Sequence, residues 1–174
     1  MNRITRFIAV TFLLAFFSLG CVTMARFAST WRAFALDIQK VALMSQSDVE
    51  NRIDPSIDFD TVKNIPGLAR GKFVRLKGKV SDIGLKKAFA PVEDDEENFE
   101  KVKKEETDQP DTSSFVLDGA IAIFCTDEFK WLAEGDTVEI TGMVSRTSIF
   151  KFQKQVTPEM PDYEVIVAKT VKKV

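Results

Sequence analysis

From Gly71 onward, apolar residues recur at every second position. Val74, Leu76, Gly78 and Val80 fall on one side of an extended chain, and Phe73, Arg75, Lys77 and Lys79 fall on the other. That period predicts a strand whose first set is buried and whose second set faces solvent. Four more strands are predicted at Ser114 to Leu117, Ala120 to Cys125, Thr137 to Val144 and Tyr163 to Thr170. In "LDGA", Asp118 and Gly119 are the residue types that a tight hairpin turn requires, so the second and third strands should pair directly. Gly78, inside the first strand, permits the sharp bend of a small closed barrel. Between the third and fourth strands, "TDEFKWLAEGD" predicts a short helix with Thr126 as its cap, Phe129 and Leu132 facing inward, and Gly135 ending it.

Upstream the period changes. In "STWRAFALDIQKVALMSQ" the apolar residues Trp31, Phe34, Ile38 and Val41 stand three, four and three apart, which is one face of a helix, with Ser29 or Thr30 as its N-cap. The stripe is expected either to pack on the domain that follows or to continue a membrane helix outward. The other reading is a partner-binding or interfacial helix with Trp31 at headgroup level. "QSDVENRIDPSIDFD" is polar and acidic, contains Pro55, and reads as a connector.

The N-terminus reads as an address. Arg3 and Arg6 precede "FIAVTFLLAFFSLGCVTMA", Phe7 to Ala25, which contains no charged residue. Three readings stay open: a lipoprotein signal cut before Cys21, where Gly20 stands as the small preceding residue; a retained membrane anchor; and a signal peptide cut after Ala25. The order Ser18-Leu19 reverses the one that lipoprotein signals usually show. Arg3 and Arg6 should remain cytoplasmic, which puts the remainder outside. The expected organisation is a signal or anchor over 1–25, an amphipathic helix with an acidic linker over 26–61, and a β domain over 62–174.

Composition changes this picture in two places. Histidine is absent and only Cys21 and Cys125 are present, which removes the commonest general base and any Cys-rich metal site or disulfide framework. Cys125 is expected to be buried at the end of the third strand. Residues 85–113 carry ten acids against five lysines and lack the apolar surface that would offset the entropy of ordering, so a charged, mobile, solvated insertion is predicted between the first two strands. Partner docking is a second reading of it. Calcium binding by Asp94, Asp95, Glu96 and Glu97 is a third, although four consecutive acids lack the alternation and glycine of an EF-hand.

Three strands, a helix and two strands, together with "KFVRLKGKV", "AIAIFC" and "LAEGDTVEITGMV", resemble the OB-fold domains grouped as tRNA-anticodon-like and found in bacterial envelope lipoproteins. The resemblance spans roughly Gly71 to Lys172 and implies a mainly β protein: a five-stranded OB-fold barrel with one short helix, after an N-terminal membrane segment and an amphipathic helix. It also implies that ligands meet the loops between strands one and two and between strands four and five. It carries the fold and names no ligand.

Outside the insertion, the 62–174 region holds 13 basic and 10 acidic residues. Arg75, Lys77 and Lys79 form a cationic stripe, and "IFKFQKQ" sets Phe150, Lys151, Phe152 and Lys154 side by side, so cations for phosphates alternate with flat partners for bases. The acidic insertion resembles a polyanion and is a candidate competitor for that surface. No motif names a nucleophile, a metal site or a cofactor, so none is assigned and no catalysis is expected. The expected function is a membrane-tethered binding or assembly module in the cell envelope, facing the periplasm, with envelope proteins, peptides or glycans as partners. The alternative is a single-stranded nucleic-acid or polyanion-binding protein.

Overall fold

The first strand, β1 (Phe73–Ser81), pairs antiparallel with β4 (Thr137–Val144) over seven residues, from Phe73↔Met143 to Lys79↔Thr137. Its other edge meets β2 (Ser114–Leu117) through Val80↔Leu117 and Ser81↔Val116. β2 turns directly into β3 (Ile121–Cys125), β3 runs parallel to β5 (Glu164–Lys173), and β5 returns antiparallel to β4. The result is a closed barrel in the order β1-β2-β3-β5-β4. These relations come from a computed structural model of the 174-residue chain that describes residues 28–85, 113–150 and 162–174.

The turn between β2 and β3 is built as its residues require. Asp118 and Gly119 both take positive φ, 47° and 64°, the backbone that matches the twist of a tight hairpin. Asp118 does a second job, because its Oδ1 accepts a hydrogen bond from the Lys79 amide at 2.9 Å and ties the turn to β1.

Alternation sorts the strands into two apolar layers. Val74, Leu76, Val80, Phe115, Leu117, Ile121, Ile123, Val138, Ile140 and Ile166 fill the barrel, and Cys125 is buried among them as its position predicted. The outward residues Phe73, Ala122, Phe124, Met143, Val165 and Val167 form a second layer. That layer is covered by the helix over residues 28–43, here α1, which contributes Phe34 and Val41 fully buried and Trp31 and Ile38 partly buried. The stripe read from the sequence therefore packs on the barrel. Phe34 meets Phe124 edge to face at 5.2 Å between ring centroids, and Trp31 meets Phe34 in the same way at 6.0 Å. Burying a side chain of this size contributes about 1.5–3 kcal/mol.

Several expectations change. Phe73 does point outward with Arg75 and Lys77, but it lies under α1 and is buried rather than solvated. Residues 28–30 are already helical, so Ser29 and Thr30 are not the N-cap. The connector is ordered. Ser45 caps α2 (Gln46–Glu50) by accepting from the Asp48 amide at 3.1 Å, and Asp58 caps α3 (Phe59–Asn64) by accepting from the Thr61 amide at 2.8 Å. A further short helix, α4 (Pro66–Ala69), leads into β1.

The helix expected between β3 and β4 is absent, because residues 126–136 form successive turns. Leu132 is buried and Phe129 packs on the core as expected, but three-residue spacing serves a turn as well as a helix. The backbone is committed elsewhere: the Thr126 amide donates to Ala168 O at 3.1 Å, and the Gly135 amide donates to Val80 O at 2.8 Å.

Candidate functional site

The β1, β4 and β5 register assembles one charged outer face. Lys77 stands opposite Glu139, and Glu139 stands opposite Lys172, so the three side chains form a row across three strands. Arg75 and Lys79 extend the row along β1. The Glu139 carboxylate lies 3.9 Å from Arg75 Nε and 3.5 Å from Lys77 Nζ, and Lys172 Nζ is 4.0 Å from a Glu50 oxygen at the rim. Exposed pairs of this kind are worth about 0–1 kcal/mol each, so the face keeps a cationic excess at little structural cost. Its chemistry is attraction of anionic groups.

The sequence-predicted site residues separate here. Arg75, Lys77 and Lys79 do come together, joined by Lys172, which the sequence reading missed because it sits on a different strand. Phe150 is elsewhere: it is 2% exposed, packed in the outer apolar layer with its ring edge on Tyr163 at 5.3 Å. A base has no access to that ring. Lys151, Phe152 and Lys154 lie outside the described residues, as do Cys21, most of the 85–113 insertion and its acids Asp94 to Glu97.

The outer side of β3 is covered by the chain itself. Ala122 and Phe124 on β3 pack with α1, Ile149 and Phe150, and all four residues of β2 are buried.

Two features had no signature in the sequence. One is a pin between α1 and the end of β4. Asp37, fully buried, accepts from Ser145 Oγ at 3.1 Å, from the Arg146 amide at 2.9 Å and from Arg146 Nε at 2.8 Å, and Arg146 Nη2 completes the pair. The other is a cleft of about 460 Å³ beside the β2–β3 turn, lined by Lys63, Asn64, Pro66, Asp118, Tyr163 and Glu164. Glu164, on its wall, pairs with Arg70 at 3.2 Å, and burial pushes the Tyr163 hydroxyl above its ordinary pKa, with the Asp82 charge adding to the effect. The cleft is polar, with Lys63, Tyr163 and the acids Asp118, Asp162 and Glu164 on its lining. Among the described residues no cluster of His, Cys, Asp or Glu is arranged to hold a metal ion, and no helix is long and apolar enough to cross a membrane.

Four surface aspartates are each held below their ordinary pKa by a local partner. Ser45, Ser56 and Thr61 hydroxyls hold Asp48, Asp54 and Asp58 below the ordinary aspartate value, and Lys173, 2.6 Å away, does the same for Asp136. A carboxylate with a depressed folded pKa contributes stability that is present above its unfolded pKa and lost as pH falls through the folded one. Unfolding midpoints in urea should therefore be flat from pH 7 to about 5 and fall steadily below about pH 4, the unfolded value being about 3.9. A flat profile down to pH 2.5 would show that the caps and the Lys173 pair contribute nothing.

Comparison with protein-family models, with curated proteins and with solved structures gives no match to this chain.

Proposed function

We propose that the chain is a membrane-tethered OB-fold module outside the cytoplasm that binds or assembles with other envelope components and performs no catalysis. The observation that carries this reading is the docking of α1. The uncharged stretch ends at Ala25, the described helix is under way by residue 28, and its inner face is clamped on the barrel by Phe34, Val41 and the Asp37–Arg146 pair. A stretch that enters a membrane would thus stand within a few residues of the helix docked on the barrel.

The strand order, with β3 parallel to β5 and β1 closing on β4, supports the OB assignment. Because α1 occupies the β3 side of the usual ligand face, the partner meets the cleft beside Tyr163 or the charged β1–β4–β5 face. Envelope proteins, peptides and glycans are the partner classes such a location offers.

Intact mass and membrane fractionation of the full chain, with Cys21→Ser beside it, test the tether. A mature chain starting at diacylglyceryl Cys21, lost in the variant, makes it an envelope lipoprotein, and an uncut membrane-bound chain makes it a transmembrane anchor. Release of a soluble product starting at Arg26 overturns the reading.

A second reading has its own support in the Arg75, Lys77, Lys79 and Lys172 cluster: a polyanion or single-stranded nucleic acid bound to the barrel's charged face. Three or four phosphate contacts would give a log affinity falling with log salt at a slope of about −2 to −3. Affinity that ignores salt, or survives Lys77→Ala with Lys79→Ala unchanged, removes this reading.

A further inference from the structure

The outer face of α1 is the least explained surface of the barrel's helical cover. Arg32, Leu36, Lys40 and Leu43 follow one another at steps of four, four and three, which at about 100° per residue confines them to an arc of roughly 80°. All four are exposed, Leu36 at 53% and Leu43 at 81%. The opposite side of the same helix carries the buried Phe34 and Val41. One face is therefore spent on the barrel and a second, smaller apolar pair is left outside.

Charge on this face has one sign. The only acid between residues 28 and 43 is Asp37, which is buried and consumed by Ser145 and Arg146. Arg32 and Lys40 stand on the exposed side, Lys40 with its Nζ 5.7 Å from the centroid of the Phe73 ring at the edge of the barrel contact, so Arg32 is the freer of the two. Two further cations are fixed close by: Arg146, held by Asp37 with its side chain 55% exposed, and Lys169, whose Nζ donates to Ala42 O at 2.9 Å in the last turn of α1. Acids return only past the helix end, at Asp48 and Glu50.

We infer that this face of α1 lies against an anionic membrane surface, with Leu36 and Leu43 entering the headgroup boundary and Arg32 and Lys40 contacting lipid phosphates. The inference rests on the tethered reading above and adds to it an orientation for the barrel. Two observations select lipid over a protein partner. The charge is complementary to an anionic leaflet, and the uncharged Phe7 to Ala25 stretch ends three residues before the described helix, so α1 is the part of the domain nearest to whatever that stretch enters. Leu36 and Leu43 are about 10 Å apart along the helix, which suits a helix lying along the surface. Each basic residue near an anionic surface adds to its attraction, and a few exposed leucines suffice to set the orientation once the chain is already tethered.

The test uses the full chain in vesicles of mixed phosphatidylglycerol and phosphatidylcholine. An environment-sensitive fluorescent amino acid replaces Leu36, Leu43 or, as the control, the exposed Glu134 in the turns beside Val80, at the end of β1 away from Phe73 and α1, and nitroxide-labelled lipids act as quenchers. Quenching at positions 36 and 43 is expected to exceed that at 134 by about threefold, and to fall toward the control in pure phosphatidylcholine or when Arg32→Glu and Lys40→Glu are combined. Equal quenching at 43 and 134 in a chain that still floats with the vesicles overturns the inference and leaves the tether standing. A chain that does not float overturns both. Blue-shifted emission at 43 without quenching assigns the face to a second copy or another protein and overturns it too, and strong quenching indifferent to lipid charge overturns the role given to Arg32 and Lys40.

Discussion

Replacing Gly142 with alanine is expected to cost about 3 kcal/mol or more of folding free energy, enough to bring a small domain near the limit of its stability. An alanine Cβ at this position would sit 2.2 Å from Val167 O, 2.7 Å from the Ala168 Cα and 2.9 Å from the Val167 carbonyl carbon. All three are backbone atoms of the neighbouring strand, so no rotamer change relieves the contact, and β5 itself has to move. The close approach has a cause in the register. Thr141 pairs with Thr170, but Gly142 pairs with Ala168, so Lys169 is an extra residue that bulges from β5. The bulge bends β5 across β4 and lets the barrel close. It also frees the Lys169 side chain to reach Ala42 O at the end of α1. Urea unfolding of Gly142→Ala, followed by circular dichroism, measures the cost. A shift of under about 1 kcal/mol would mean that β5 moves freely at the bulge and that barrel closure does not depend on this contact.

The same bulge marks how far the sequence could be read. Alternation placed all five strands, because a side-chain period of two is imposed wherever one face of a sheet is buried. It also hinted at the irregularity: in "EVIVAKTVKK" the polar pair Lys169-Thr170 interrupts the alternation, after which Val171 returns to the core. Which strand Lys169 bulges against is a fact of pairing, and no local pattern contains it. The short helices α2 and α3 were missed because five or six residues hold too few apolar positions to show a helical period, although their caps, Ser45 before Asp48 and Asp58 before Thr61, were in plain view. The 126–135 segment erred in the other direction, since a capping threonine and a terminal glycine are equally at home in consecutive turns. For the candidate site, the β1 stripe was legible as alternation. Glu139, which partly neutralises it, and α1, which fills the β3 side, act from distant parts of the chain, as does the segment that buries Phe150.

Asp37→Ala is expected to undock α1 while the barrel survives. The buried carboxylate accepts from four donors, and two of them, the Ser145 hydroxyl and the Arg146 amide, are held at the end of β4; the hydroxyl can turn to Thr147 Oγ1 at 3.3 Å, but the amide cannot turn. Each buried donor left without a partner costs about 1–3 kcal/mol, whereas the Arg146 guanidinium, half exposed, recovers hydration. A net loss of about 2–3 kcal/mol follows, equivalent to a roughly thirty- to hundredfold larger equilibrium constant for opening α1. Asp37→Asn should fare little better, since its amide nitrogen would face partners that are themselves donors. Arg146→Ala leaves the carboxylate buried with only the Ser145 and backbone donors, so combining it with Asp37→Ala should cost less than the sum of the two. Amide exchange reads the outcome directly: residues 28–43 should lose protection while β1 and β4 keep theirs. If instead the strands lose protection in step with the helix, then α1 folds as one unit with the barrel. In that case a truncation that removes residues 28–43 would unfold the domain rather than leave a free barrel.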